Sequence, residues 1–368
     1  MNKISIFIII ILFGLLTYYI GFKIYDCFNI NKYICYGFSI LLTLIMIFGF
    51  MRSMLPIGVN TKNILKVLSS YVMGFYIYLF LYFILSDLVG IVINLLKIDI
   101  KNIKLYSGII VLTLTLVTYA YGLINASNIK IKNYEIKLDE IKNMNIVMIS
   151  DMHLGAVNSE KRLYKIVEEI NKMKADILLI CGDIFDNDYY AIKNPNQVID
   201  LLKSIKTKYG VYASLGNHDS GKTFDKMIEL LSKSNVKVLM DKSKVIDNKF
   251  AILGRLDGTP IGGFKENVAR GNIETEINNI DQNLPLIVLD HNPINIDEYD
   301  DRVNLVLSGH THKGQLFPAN IITNSMYEVD YGYYLNNKTH VIVTSGVGTW
   351  SMPMRVGSNS EIVNIKIK

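Results

Sequence analysis

Apolar positions fall into two regimes along the chain. Up to residue 128 they form four long runs, at residues 4–22, 34–51, 67–96 and 105–124. Each is long enough to cross a hydrocarbon core of ~30 Å, which takes ~20 helical residues. Beyond residue 128 the runs shorten and close on Gly or Asp, at 145–150, 176–181, 211–215, 250–254, 284–289 and 303–308. Short apolar runs of this kind read as buried strands, and 129–138 alternates well enough to add a first one. Helical patterns lie between, at 160–174, 197–206 and 223–233. The pattern predicts a membrane domain of four transmembrane helices over 1–128, a polar hinge at 125–128, and an α/β domain over 129–368.

Composition and charge sharpen that division. Half of all residues are hydrophobic, unusual for a soluble enzyme. Residues 1–128 carry nine Lys/Arg against three Asp/Glu, and residues 129–368 carry 29 against 30. The basic surplus therefore belongs to the membrane flanks and gives no support to nucleic-acid binding. Lys3 precedes the first run, but no small-residue cleavage site follows it, so an uncleaved anchor is expected rather than a leader. With both ends on one side, Lys3, Arg52, Lys62, Lys66, Lys130, Lys132, Lys137 and Lys142 stand against Lys23, Lys32, Lys97, Lys101 and Lys104. That count leans toward a cytoplasmic catalytic domain in a multi-pass cell-membrane protein. Asp87, the one acid inside a run, reads as a break or an interfacial position. Three cysteines leave no disulfide to build in the second domain.

Five motifs close the short runs. They are Asp151-Met152-His153, Gly182-Asp183-Ile184-Phe185-Asp186, Gly216-Asn217-His218-Asp219, Asp290-His291-Asn292 and Gly309-His310-Thr311-His312. Imidazole, carboxylate and amide oxygen suit first-row divalent metals. On an extended chain, residues i and i+2 share a face, so Asp151/His153 and His310/His312 are each expected to present two ligands together. One such pair is commonplace on a solvated strand; five motifs at strand ends converge on one edge of an α/β sheet.

The ordered set resembles the calcineurin-like metallophosphoesterase superfamily, in its membrane-anchored subgroup, over roughly residues 144–368. The resemblance implies an αββα sandwich of two mixed sheets and two divalent metal ions, Mn foremost, with Fe or Zn as alternatives. It implies Asp151, His153 and His312 on one metal, Asn217, His291 and His310 on the other, and Asp183 bridging. It implies a metal-bound hydroxide as nucleophile, His218 as proton donor to the leaving group, Asp219 orienting it, and Asp186 holding a ligand by hydrogen bond. The bond hydrolysed would be a phosphomonoester, phosphodiester or pyrophosphate. A tethered enzyme points to an amphiphilic substrate, such as a phospholipid or UDP-2,3-diacylglucosamine. The contrasting reading is a non-catalytic membrane receptor for phosphate or nucleotide; its signature would be a missing ligand or a missing His218, and none is missing.

Gly216 to Thr223 also satisfies the P-loop pattern G-x-x-x-x-G-K-[ST]. The same residues are explained by the metal motif, and two strand–motif units precede them, so a P-loop is not expected. The segment after His312 is rich in Ile, Met and Tyr, and reads either as core or as an apolar lid beside the metals. Arg355 is a candidate for a substrate phosphate or for a surface salt bridge. Asp257 and Arg255, after the strand at 250–254, are lesser candidates. Cys181 reads as a small buried hydrophobe.

Overall fold

The computed structural model describes residues 3–138, 141, 143–265 and 268–368. Lys142, counted above among the flanking charges, lies outside the described residues. The chain divides into two compact units, Met1–Leu123 and Ile124–Lys368.

The first unit contains α1 (Lys3–Phe28), α2 (Lys32–Met51), α3 (Val59–Leu95) and most of α4 (Ile103–Ser127). All four are long and apolar enough to cross a membrane. Ile20, Tyr76, Leu79, Phe83 and Val111 form the contact between helices. A ring of hydroxyls joins them. Thr17 Oγ1 lies 2.7 Å from Thr43 Oγ1, and Tyr76 OH lies 3.1 Å from Ser39 Oγ and 3.2 Å from Thr43 Oγ1. Small polar side chains are common adhesives between helices in an apolar medium. α3 runs unbroken through Asp87, which corrects the expected break there. The Asp87 carboxylate, itself partly exposed, pairs with the largely buried Lys23 and accepts from Tyr19 OH at 2.7 Å, so it is engaged by α1.

The second unit is built on two six-stranded mixed sheets. The first has the order β1 (Ile129–Ile136), β12 (Ser360–Ile367), β2 (Met144–Ile149), β3 (Ile177–Cys181), β4 (Val211–Ser214), β5 (Val236–Val238). The second has the order β10 (Gly332–Asn336), β11 (Thr339–Val343), β9 (Leu305–Ser308), β8 (Leu286–Leu289), β7 (Phe250–Gly254), β6 (Lys242–Ile246). The strands read as continuous apolar runs because both faces are covered. Ile146 and Met148 of β2, Leu179 of β3, Ile287 and Leu289 of β8 and Leu305 and Leu307 of β9 share one core between the sheets. Their neighbours Val147, Ile149, Leu178 and Ile180 face outward, into a core with Leu163, Ile166 and Ile170 of α5 (Glu160–Lys172), Val198 of α6 (Pro195–Lys203) and Leu230 of α7 (Phe224–Lys233). Val288 and Val306 do the same on the other side, with Ile273 of α8 (Ile273–Asn278). This is the expected helix–sheet–sheet–helix layering, and the residues following β2, β3, β4, β8 and β9 meet at one edge.

No polar hinge separates the strands from α4. That helix continues to Ser127, and buried Asn125 donates through Nδ2 to the carbonyls of Arg355 (3.1 Å) and Ser358 (2.8 Å).

Candidate metal centre

The candidate ligands do not sit on extended chain. Asp151, His153, Asp183, His310 and His312 all have positive φ, between 45° and 69°. β2, β3 and β9 are each followed by a left-handed kink, at Asp151, Asp183 and His310, a conformation non-glycine residues adopt sparingly and functional sites often retain. The face-sharing argument for His310 and His312 is thereby corrected. The two rings point to different halves of the cluster.

In one half, His312 Nε2 lies 3.3 Å from Asp151 Oδ1 and 3.1 Å from His153 Nε2. In the other, His310 Nδ1 lies 3.1 Å from Asn217 Oδ1 and 3.3 Å from His291 Nε2. Asp183 lies between them: its Oδ2 is 3.7 Å from His153 Nε2 and 3.2 Å from His291 Nε2. Three groups have geometry that could suit a cation: Asp151/His153/His312 and Asp183/His291/His310, one in each half, and His153/Asp186/His218 at the rim. Two glycines make the convergence possible. A Cβ on Gly216 would stand 2.2 Å from Asp183 Oδ1, and one on Gly309 would stand 2.3 Å from Asp151 Oδ2.

The electrostatics fit a cation pair. Burial pushes the Asp151 carboxyl up to about 6, and burial holds His153 and His310 down to about 4. Burial would also raise Asp183, but His291 beside it outweighs that and holds it below the usual carboxylate range. Carboxylates, imidazole nitrogens and an amide oxygen face one another at contact distance, and the nearby Arg355 guanidinium lies behind His312 rather than between them. Divalent ions reverse the cost of such an arrangement. His291 Nδ1 lies 2.8 Å from the Cys181 carbonyl, which can only accept. Nδ1 therefore donates to that carbonyl, and Nε2 faces Asp183. Burial would lower the His291 pKa, but the Asp183 carboxylate outweighs that and raises it; a bound cation would take the Nε2 lone pair in place of that proton. The Cys181 side chain is buried in the core as expected, but its carbonyl orients a ligand.

His218 stands at the rim. Its Nδ1 is 4.0 Å from Asp186 Oδ1, and its ring meets His153 edge-on at 4.9 Å. Asp219 does not face it, which corrects the orienting role given to Asp219. Its Oδ1 accepts from Phe185 N (2.8 Å) and its Oδ2 from Gly216 N (2.9 Å), tying together the loops that carry Asp183 and Asn217. Burial pushes this carboxyl up to about 7. The carboxylate near His218 is Asp186.

Arg355 likewise departs from expectation. It is fully buried, reaches neither substrate space nor a surface acid, and donates through Nη2 to the carbonyls of Ser345 (2.6 Å) and Gly348 (2.8 Å). Nη2 also lies 3.2 Å from His312 Nδ1, so the guanidinium shapes the loop behind that ligand. Arg255 is buried against Asp241 at 2.7 Å. Asp257 is buried too; its Oδ1 accepts from Thr259 N and Oγ1, and its Oδ2 has no hydrogen-bond partner. The P-loop pattern is disposed of by its own amides. Gly216 N donates to Asp219, His218 N to Asp183 Oδ1 and Gly221 N to the Gly263 carbonyl, so these three amides are not available to cradle a phosphate.

A cavity of about 420 Å³ opens over the cluster, bounded by His153, Asp183, Asn217, His218, His310 and His312 on one side. Its opposite side includes Trp350 and Tyr327, neither of which the motifs singled out. Trp350 is the chain's one tryptophan, and that was the available signal.

Residues 144–314 match the family model for calcineurin-like phosphoesterases. The chain is 30% identical over 380 residues to an uncharacterized metallophosphoesterase of Campylobacter jejuni, covering 98% of this chain and 97% of that one. It is 30% identical over 278 residues to the zebrafish (Danio rerio) transmembrane protein with metallophosphoesterase domain, covering 71% of this chain and 62% of that one. The solved Haemophilus influenzae NAD nucleotidase superposes with a TM-score of 0.38 at 15% identity, over 55% of this chain and 45% of that one.

Proposed function

The chain belongs to the calcineurin-like phosphoesterase family and is a metal-dependent phosphoester hydrolase; from that premise we propose that it acts at a membrane, on an amphiphilic, lipid-linked phosphoester, from the centre formed by the five motifs. In this reading Asp151, His153 and His312 hold one divalent cation and Asn217, His291 and His310 the other, with Asp183 shared. The observation that carries it is the position of Asp183, whose Oδ2 faces a nitrogen of each half. A bound pair would neutralise the phosphoryl oxygens and make water acidic enough to attack near neutral pH. The donor set of nitrogen and oxygen, without thiolate, suits manganese, with iron or zinc as alternatives.

The protein's own groups do the rest. His218, at the rim and within reach of the cavity, gives its proton to the leaving oxygen. Asp186 holds the other nitrogen of that ring in line. Asp219 keeps the two ligand loops in register through backbone N–H groups. The four apolar helices anchor the enzyme in the bilayer. Lys23, paired with Asp87, drops out of the count of flanking charges, which favours a cytoplasmic catalytic unit.

The test is an assay of the full chain with Mn²⁺ on paired aryl phosphomonoester and phosphodiester substrates, beside Asp183→Asn. Metal-dependent turnover that the variant lacks is the expected result. Equal turnover by the variant would remove Asp183 from the centre.

A further inference from the structure

The cavity over the cluster has two unlike walls. One is the ring of imidazoles and carboxylates. The other is apolar, made by Ile261, Ile322, Met326, Tyr327 and Trp350. Ile322 and Met326 belong to α9 (Ala319–Met326), a helix with no buried residue. Its apolar side chains stay uncovered within the unit: Ile321 is 61% exposed, Ile322 58% and Met326 64%. Phe317 before the helix and Trp350 across the cavity are 52% and 48% exposed. Large apolar groups clustered at the mouth of a site mark a surface that meets something apolar.

The helix is nonetheless fixed in place. Thr323 Oγ1 donates to Asp330 Oδ2 at 2.8 Å. Gly314, with φ +71°, brings the turn after His312 so close to α9 that a Cβ there would stand 2.2 Å from Asn320 N. The wall therefore hangs from the same turn as a candidate ligand.

The amide and the two threonine hydroxyls of this wall are already engaged, which leaves the edges of Tyr327 and Trp350 as its remaining polar atoms. Gln315 Nε2 donates to the Trp350 and Met352 carbonyls (3.0 and 3.1 Å), and its Oε1 accepts from Trp350 N (2.7 Å). Thr311 Oγ1 donates to the Asp330 carbonyl at 2.6 Å, and the Thr323 hydroxyl is held by Asp330. A sugar or base lying here would lose its water and find its partners taken, which is costly. A hydrocarbon chain loses nothing and gains burial.

We infer that α9 and Trp350 form a hydrocarbon subsite, in which an acyl or prenyl chain of the substrate lies between Ile322, Met326 and Trp350 while its phosphoester sits at the cluster. This rests on the hydrolase reading above and narrows its substrate class to amphiphiles with the chain close to the phosphorus.

The probe is a series of non-hydrolysable alkylphosphonates, methyl through hexyl, bound to the Mn²⁺-loaded full chain in nanodiscs and followed by calorimetry. Affinity should rise about three- to fourfold per buried methylene, and roughly 30-fold or more from methyl to hexyl. The double variant Ile322→Asn/Met326→Ser should flatten that slope while still binding its full complement of Mn²⁺, which reports an intact fold. A flat slope in the wild type, or an undiminished slope in the variant, overturns the subsite. Turnover of methyl 4-nitrophenyl phosphate is scored separately. Turnover with a flat slope leaves the hydrolase and removes the subsite. A steep slope without turnover keeps the subsite and removes the hydrolytic role.

Discussion

Two regions of this molecule gather charge, and they do so in opposite ways. In the helical unit, Asp87 meets Lys23 and the Tyr19 hydroxyl, a set that balances itself. In the α/β unit, Asp151 and Asp183 meet four imidazoles and an amide, with Arg355 behind His312 rather than paired to either carboxylate. A balanced pair holds helices together and needs nothing more. An unbalanced cluster of lone pairs, held in place by left-handed backbone and by glycines that leave no room for a Cβ, is a container for cations. The difference separates a structural charge pair from a reaction centre without reference to any relative.

Four measurements would break or sharpen that contrast. The largest effect is expected from Asp183→Asn, which takes away the carboxylate facing both halves; turnover should fall by ~10³-fold or more, with fewer Mn²⁺ bound per chain, since loss of charge stabilisation at a two-metal site costs several kcal/mol. Metal analysis with kinetics checks it, and retained stoichiometry would break the container argument. Next, His218→Asn should lower kcat by ~10²–10⁴-fold, the range for a lost general acid, most strongly for poor leaving groups and with metal content unchanged. A uniform loss across leaving groups would deny His218 the proton.

Third, Arg355→Met leaves the buried carbonyls of Ser345 and Gly348 without a donor. The second unit should lose ~2–4 kcal/mol, the scale for unsatisfied buried polar groups, read as a lower unfolding midpoint. Turnover measured below that midpoint should change far less than in Asp183→Asn. The smallest effect is expected from Asp87→Asn, which leaves Lys23 without its counter-charge among the helices. The helical unit should lose ~1–2 kcal/mol, the scale of polar contacts between membrane helices, seen as earlier thermal unfolding in detergent. Turnover on a water-soluble aryl phosphoester should be unaffected, and a large loss there would mean that the ion pair is more than a fastener.

The sequence by itself determined the four long helices, the strand–helix alternation and the residues that meet at the sheet edge. Hydrophobic period and length are local properties, and each motif follows its own strand directly. Only the tertiary structure decided how those residues divide. His310 and His312, two positions apart, face different halves because both have left-handed φ and Thr311 between them is right-handed helical, so the chain is not extended. Asp219 caps backbone N–H groups while Asp186 is the carboxylate that approaches the His218 ring, because a carboxylate can cap a backbone N–H as readily as it can face a ring, and only the loop geometry chooses. Arg355 could have met a phosphate or a surface acid. It is buried behind His312 instead, because β12 places the tail containing it against the kink after β9. Trp350 reached the centre from outside every motif, through contacts that no spacing along the chain encodes, whereas α9 lies in the segment whose composition already offered an apolar lid, and only the fold chose that over core.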